Sequence, residues 1–192
     1  MKPFTLLLLA FTLLLWTGCK DDQPTASAPI LNYDGPNVSA PQLPPGRNLY
    51  AAYFPPAETA PYAGRRLDRI RFYLTQIPQA TSIVVFDQGA DERTPGTELY
   101  RQNLTNRINT TEWIDYAILD EDIEITDRGI WLAVEVELAG NSQNFAVGCD
   151  AGRSYDPNGD LLLLSNTTQW TSFQAINGER VNWNIRGVLS EG

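Results

Sequence analysis

The sequence predicts an all-β fold, an antiparallel, jelly-roll-like β-sandwich of about nine strands, over residues 48–192. Short apolar runs recur between turn signals such as Pro95-Gly96, Asn158-Gly159 and Asn177-Gly178. No segment sustains the apolar period of roughly 3.6 residues, with capping residues, that indicates a helix. Several runs instead alternate apolar and polar residues, which predicts strands with one buried and one wet face.

The apolar runs define the predicted strands in chain order. They cover residues 48–54, 66–74, 80–87, 97–103, 112–119, 129–138, 144–149, 160–165 and 180–189. Strand 80–87 is apolar on both faces, from Ile83 to Phe86, which predicts a central position in its sheet.

Two of these strands show which face is expected to be buried. In 129–138 alternate residues are aliphatic, and the opposite face carries Trp131 together with glutamates. In 180–189 Trp183 lies on the apolar face and is predicted to enter the core, whereas the alternating asparagines and arginine are predicted to face water.

Residues 1–18 have the composition of an export signal. A basic start at Lys2 is followed by an apolar run over 4–16, which is short for a membrane-spanning helix, and then by small residues and Cys19. This order resembles a bacterial lipoprotein signal, which is cut before the cysteine so that the cysteine can be acylated. The alternatives are an ordinary secretory signal or a buried helix.

The residues after Cys19 resemble a second signal. Lys20, Asp21 and Asp22 are similar to the surface-export signal of lipoproteins in the Bacteroidota, and the alternative is a plain solvated tether. The resemblance implies a protein anchored by lipid in the outer membrane and facing the cell exterior. The membrane is therefore one expected partner.

Residues 19–47 are predicted to form a tether between the anchor and the domain. Proline recurs through this segment and removes backbone donors, so no helix or central strand fits there. A proline-rich chain extends by about 3.1 Å per residue, which would hold the domain well away from the bilayer. Ile30, Leu31 and Tyr33 are the tether residues expected to touch the domain.

Composition excludes several functional classes. The net charge of −9 disfavours nucleic-acid binding, which needs clustered Lys and Arg. The absence of histidine excludes Ser-His-Asp and Cys-His catalysis as well as His-ligated zinc. Once Cys19 is acylated, Cys149 is the one remaining thiol, and without a histidine base it is predicted to be a small buried residue.

Five segments of the domain resemble a known family. They are Tyr62–Leu74, Thr94–Tyr100, Gly129–Leu132, Val147–Gly152 and Asn182–Arg186. Together they resemble a β-sandwich domain of secreted and surface proteins of the Bacteroidota, similar to the adhesin-type, jelly-roll modules that accompany gingipain-like proteases. The resemblance covers roughly residues 50–188 and implies an adhesion or binding module, without naming its ligand.

Aromatic residues beside polar ones are the first candidates for a ligand site, because sugar-binding sandwiches stack pyranose rings on Trp or Tyr. These candidates are Trp113, Trp131, Tyr155 and Trp170. For each of them the alternative is packing at a sheet edge or beneath a loop.

A second candidate is a calcium site in the segment 148–160. Asp156, Asn158 and Asp160 place oxygen ligands at alternate positions, as calcium loops do, and Asp150 upstream could join them. An EF-hand is excluded because the glycine and the glutamate that it requires are missing. The alternative is a turn stabilised by Asx side chains. A structural Ca²⁺ is therefore the one cofactor considered, and the segment is predicted to border the binding surface at an end of the sandwich.

These observations favour a non-catalytic surface module for adhesion, or for binding a glycan or protein outside the cell. The alternative is a structural accessory subunit of an outer-membrane assembly, such as a polysaccharide-uptake complex. A glycoside hydrolase ranks third, because the Glu-x-Asp-x-x-Glu run of laminarinase-type sandwich enzymes is absent. We therefore expect no catalytic residues.

Overall fold

The structure, a computed structural model, describes residues 27–91, 93–118, 122–140 and 144–191. The predicted signal peptide over 1–18, the acylation site Cys19 and the export signal from Lys20 to Asp22 lie outside the described residues. They remain predictions.

The described chain forms ten strands and three short helical segments. The strands are β1 Ile30–Leu31, β2 Gly46–Phe54, β3 Leu67–Tyr73, β4 Ala80–Asp91, β5 Thr94–Asn103, β6 Trp113–Ala117, β7 Ile130–Leu138, β8 Leu161–Leu163, β9 Thr171–Ser172 and β10 Ile185–Leu189. The helical segments are α1 Pro56–Thr59, a 3₁₀ turn at Ala60–Tyr62 and α2 Phe173–Asn177.

The strands form two antiparallel sheets that pack face to face. The four-stranded sheet has the order β1-β10-β3-β6, and the six-stranded sheet has the order β5-β4-β7-β2-β8-β9. Hydrophobic side chains from the inner faces of both sheets form one core cluster between them. The predicted all-β antiparallel sandwich is thus confirmed. Strand β4, the one predicted to be central, lies between β5 and β7.

Trp183 lies in the core between the sheets, as predicted from its apolar face. It is 1% exposed and packs edge-on against Tyr50, with ring centroids 5.0 Å apart. Its indole Nε1 donates a hydrogen bond to the carbonyl oxygen of Leu161 at 3.0 Å, which satisfies the one polar atom that its burial removes from water.

The outer face of the six-stranded sheet carries a second apolar layer, which corrects one prediction. Trp131 was expected on a wet face, but it is fully buried in a cluster with Tyr53, Val84 and neighbouring residues. Trp170 and Phe86 cover this cluster and make edge contacts with each other, their ring centroids lying 6.4 Å apart. Strand alternation predicts which residues share a face, but not whether a distant segment covers that face.

The predicted tether is part of the domain over its described length. Ile30 pairs with Val188 and Leu31 with Gly187, so β1 forms an edge of the four-stranded sheet. Leu31 and Leu43 are buried in the core, and β2 already begins at Gly46. The domain therefore starts before the predicted boundary at residue 48. Proline forbids helix and central strand, but it leaves room for a short edge strand between prolines.

Residues 144–149 do not form the predicted strand. Val147 and Cys149 make isolated bridges, to Leu74 and to both Ser39 and Trp183. Residues 180–184, predicted to open the last strand, likewise precede β10. Both segments lie against the irregular chain that precedes β2. They therefore make isolated backbone contacts with it instead of the regular hydrogen bonds of a β-strand.

Candidate functional site

Two segments meet beyond the adjoining ends of β3 and β10 and form a surface concavity. One is the chain from residue 33 to 41, here called the strap, and the other is the end loop, residues 148–160. Val38 N donates to Cys149 O at 2.9 Å, and Cys149 N donates back to Ser39 O at 2.8 Å. The end loop is therefore at an end of the sandwich, held against the strap by backbone hydrogen bonds.

A buried carboxylate, that of Asp150, fastens the end loop to its surroundings. It accepts four hydrogen bonds, from the backbone nitrogens of Gly35, Gly152 and Asn182 and from Asn182 Nδ2, at 2.8–3.1 Å. Burial alone would raise the pKa of this carboxyl, but these hydrogen bonds outweigh burial and lower the pKa below its usual value. Asp150 is thus an ionised residue that connects the strap, the end loop and Asn182 through hydrogen bonds.

A second buried carboxylate, that of Asp34, fastens the strap to the four-stranded sheet. Arg186 Nη2 lies 2.7 Å from Asp34 Oδ2, and Arg186 Nε donates to both carboxylate oxygens at 2.9 Å. Asn184 Nδ2 donates to Asp34 Oδ2 at 2.6 Å. The pair is well shielded, since the Asp34 side chain is not exposed at all.

These contacts correct the prediction that the polar face of residues 180–189 is wet. Asn182 and Asn184 are fully buried, because the strap and the end loop lie over them. The Asn182 amide both donates through Nδ2 and accepts from Asp156 N, whereas Asn184 donates through Nδ2 and its buried Oδ1 makes no hydrogen bond. The sequence signal was present in the run Asn182-x-Asn184-x-Arg186, but its partners lie about 150 residues earlier in the chain.

The residues predicted as calcium ligands make hydrogen bonds within the protein. Asp156 Oδ1 accepts from Asn158 N at 2.8 Å, and Gly159 N donates to Asp156 O at 2.9 Å, which is an Asx-stabilised turn. Asp160 is fully buried and accepts from Gln174 N at 2.8 Å. Among the residues that the structure describes, no cluster of three potential metal-ligating His, Cys, Asp or Glu side chains occurs.

Asp160, also in the end loop, has a raised pKa. Burial raises its pKa to about 6, although hydrogen bonds from Gln174 N and the Tyr155 hydroxyl act in the opposite direction. Tyr155 Oη lies 3.4 Å from both carboxylate oxygens, and the Arg180 guanidinium lies 5.7 Å from the Tyr155 ring centre. Tyr155 is therefore half-buried as part of the loop's own packing.

A groove runs between the strap and the end loop, and we call it the end groove. It consists of two adjoining cavities of about 560 Å³ and 360 Å³, which share Val38, Asp150 and Ala151. Val38, which lines both cavities, is 65% exposed. The rest of the lining is Tyr33, Asp34, Gly35, Pro36, Arg153 and Ser154 in the larger cavity, and Ser39, Pro41, Cys149, Glu179, Arg180 and Val181 in the smaller one.

The structure does not bring the four aromatic candidates together. Trp113 is half-buried on the outer face of the four-stranded sheet, with the Arg186 guanidinium 4.2 Å from its ring centre. Trp170 is half-buried on the outer face of the other sheet, 5.3 Å from the buried Trp131, measured between ring centroids. Trp131 therefore cannot be an exposed platform, and only Tyr155 lies in the end loop.

Residues of the strap were the part of this surface that sequence reasoning missed. Tyr33, Pro36 and Val38 line the groove but were assigned to a tether because of the surrounding prolines. A buried acid such as Asp34 leaves no local signal when its partner is Arg186 at the far end of the chain.

The fold and this end groove define the chain as an all-β sandwich with a grooved end. No protein-family model matches the chain, and no curated protein matches it. Within the described ranges, no helix combines the length and apolarity needed to cross a bilayer.

The chain is similar in fold to solved structures of a clostridial surface protein. One contains the cysteine protease and lectin-like domains of Cwp84, a surface layer associated protein of Clostridium difficile, with a TM-score of 0.61, 11% identity and 88% of this chain covered. Another is the clostridial cysteine protease Cwp84 after propeptide cleavage, with a TM-score of 0.59, 11% identity and the same coverage. This chain spans 37% and 41% of those chains, and at such low identity the likeness shows the fold alone.

Proposed function

We propose that the chain is a non-catalytic binding module that captures a glycan in the end groove at the cell surface. The observation that carries this proposal is a groove whose two walls are fastened by the buried carboxylates of Asp34 and Asp150. A site held rigid before binding loses little conformational entropy when a ligand arrives.

The lining chemistry suits a ligand with both hydroxyl groups and apolar ring faces. Val38 and Pro36 offer exposed apolar surface, and the exposed Arg153 and Ser154 offer polar side chains beside them. A cavity of about 560 Å³ is in the size range of small-ligand sites, which usually combine apolar walls with a few polar groups. The lectin-like domain named in the Cwp84 structure supports a glycan over other ligands.

A binding role is favoured over catalysis by the state of the reactive groups around the groove. Burial raises the pKa of the Cys149 thiol to about 12, so the thiolate is scarce at neutral pH. The carboxylates of Asp34 and Asp150 are occupied by arginine, amide and backbone donors, as described above. Neither acid is placed to move a proton to or from a ligand.

The location is proposed from the sequence. The lipoprotein-like signal and Lys20-Asp21-Asp22 support anchoring through Cys19 in the outer membrane, with the domain facing the exterior. In this arrangement the end groove serves adhesion or capture of extracellular polysaccharide.

A glycan array probed with residues 20–192, which retain every described residue, tests the groove. The double variant Val38→Asp, Arg153→Ala should lose at least about tenfold in affinity for the glycans that bind, because it removes an apolar contact and a charged donor. The variant Leu99→Asp is a matched control, since Leu99 is an exposed apolar residue on β5 and outside the groove. An array without binders, or equal binding by the groove variant and the control, would contradict the proposal.

A further inference from the structure

The outer face of the four-stranded sheet gathers three arginines on neighbouring strands. Arg186 of β10 lies opposite Arg71 of β3, and Arg71 lies opposite Asp115 of β6. Arg69 shares the face, because side chains two residues apart on a strand point to the same side. We call Arg69, Arg71, Arg186, Trp113 and Asp115 the arginine face.

The arginine face carries more positive than negative charge in a chain whose net charge is −9. Asp34 is already paired with Arg186, because Arg186 Nη2 lies 2.7 Å from Asp34 Oδ2 and the Asp34 side chain is fully buried. That leaves Asp115 to serve both Arg71, at 3.1 Å, and Arg69, at 3.8 Å. Two guanidinium groups thus share one carboxylate, which is itself 40% exposed.

Arg71 carries one donor without a hydrogen bond. Its Nε is buried and makes no hydrogen bond of acceptable geometry, although Asp115 is within ion-pair distance. The side chain is 32% exposed, so its fork can be reached from solvent. A carboxylate arriving from solvent would not reach the buried Nε, but it can pair with the exposed part of this guanidinium, whose ionic partner among the described residues is Asp115.

Trp113 adds an aromatic wall to the same face. The Arg71 guanidinium carbon lies 5.6 Å from its ring centre, and Tyr73 meets it edge-on with centroids 5.6 Å apart. An arginine fork that accepts a carboxylate next to a half-buried indole matches a pyranose ring that carries an acid group.

We propose that the arginine face binds acidic polysaccharide through the carboxylate of a uronic acid residue. Arg71 contacts both oxygens of the carboxylate, and Arg69 makes a second ionic contact with it. The sugar ring packs at the edge of Trp113. Charge complementarity selects this partner over neutral glycans, and the planar fork selects a carboxylate over a more diffuse anion. The arginine face adjoins the end groove through the Arg186–Asp34 pair. The residues assigned to the acidic sugar, Arg69, Arg71 and Trp113, are not among the groove's lining, so the inference does not depend on the function proposed there.

The test is a titration of residues 20–192 with polygalacturonate, with neutral dextran and dextran sulfate as comparison polymers. Polygalacturonate should bind, and added salt should weaken it because the contacts are ionic. Arg71→Gln should weaken binding by about tenfold or more, and Arg71→Lys should recover part of the loss, since lysine keeps the charge without the fork. Arg47→Gln, an exposed arginine of the six-stranded sheet, is the matched charge control and should have no effect.

Asp115→Asn is the decisive variant, because a folding defect cannot imitate its expected result. Removing the competing carboxylate leaves Arg69 and Arg71 without an ionic partner, so affinity for polygalacturonate should rise severalfold. Unchanged or weaker binding by Asp115→Asn, equal binding by Arg71→Gln and the unaltered chain, or stronger binding of dextran sulfate would each overturn the inference. The groove variant Val38→Asp, Arg153→Ala should leave polygalacturonate binding intact, which separates failure here from failure of the proposed groove function.

Discussion

At the residue scale, buried acids of this domain have opposite effects on its response to pH. Asp150 has a lowered pKa and Asp160 a raised one, although both side chains are buried. At Asp150 four hydrogen bonds, three of them from Gly35 and Asn182, outweigh the effect of burial, whereas at Asp160 burial outweighs the hydrogen bonds from Gln174 N and Tyr155. Stability from Asp150 is present above its unfolded pKa and is lost as pH falls through its lower folded pKa.

Asp160→Asn should flatten the stability profile of the domain between about pH 4 and pH 6. The folded-state pKa of Asp160, about 6, exceeds the ordinary value of 3.8, so the folded state binds this proton more tightly than the unfolded chain. Its favourable contribution is therefore complete below about pH 4 and is lost as pH rises to about 6. Asparagine retains an oxygen that can accept from Gln174 N without titrating.

Urea unfolding of both forms at several pH values between 4 and 7 measures this effect. Asp127→Asn is the control, because Asp127 is exposed and should change nothing. Parallel curves for the unaltered chain and Asp160→Asn would show that Asp160 titrates normally.

At the element scale, the six-stranded sheet is buried on both faces over its central strands. β7 sends Leu132 and Val134 into the main core and Trp131 and Ala133 into the outer cluster. Such a strand sits in a fully enclosed layer even though the sheet is antiparallel. Of the residues that cover the outer cluster, Trp170 comes from the segment between β8 and β9, whereas Phe86 and Leu163 belong to the sheet itself.

Trp131→Ala should cost about 3–5 kcal/mol of unfolding free energy, as large as the cost of Trp183→Ala. The expectation follows from complete burial of both indoles, one in each cluster. Trp113→Ala should cost clearly less, because that indole is half-buried on a sheet surface. Denaturant midpoints of the three variants decide the matter. A Trp131 variant as mild as the Trp113 variant would mean that the outer cluster contributes little.

The strands that local pattern predicts and those it misses differ in where their partners are. Strands β2 to β8 and β10 overlap the predicted ranges, because alternation and turn residues are local signals, whereas β1 and β9 were not predicted. Asn182 and Asn184 alternate as a half-wet strand should, yet Asp34 and Asp150 bury them. The pairing of Asp34 with Arg186 spans 152 residues, and no local rule anticipates such a contact. The candidate site was found in its end loop and missed in its strap for this reason.

At the scale of the whole molecule, the chain N-terminal to β2 closes one side of the sandwich. Leu31 lies in the main core, the strap covers buried amides, and β1 occupies the edge of the four-stranded sheet. The domain that folds as a unit therefore includes part of the proline-rich segment. Domain limits drawn at changes of composition can miss such a segment when its contacts are long-range.

A chain starting at residue 48 should be less stable than one starting at residue 27 by at least about 3 kcal/mol. The shorter chain loses the burial of Leu31 and Leu43 and leaves Arg186 and Asn184 without Asp34. The chain from residue 27 is the matched reference, because it lacks only undescribed residues. Tryptophan fluorescence during urea unfolding gives both midpoints, and equal midpoints would restore the boundary at 48.

The position of β1 also determines how the domain carries a mechanical load. A pull on the chain before Pro29 reaches the hydrogen bond from Leu189 N to Pro29 O and the two residue pairs of β1 first. Behind these contacts lies the buried ion pair of Asp34 with Arg186, and only after the strap does the chain enter β2, in the interior of the larger sheet. The contacts therefore break in stages under tension. Strand β1 can detach from the edge of the four-stranded sheet while the six-stranded sheet remains folded.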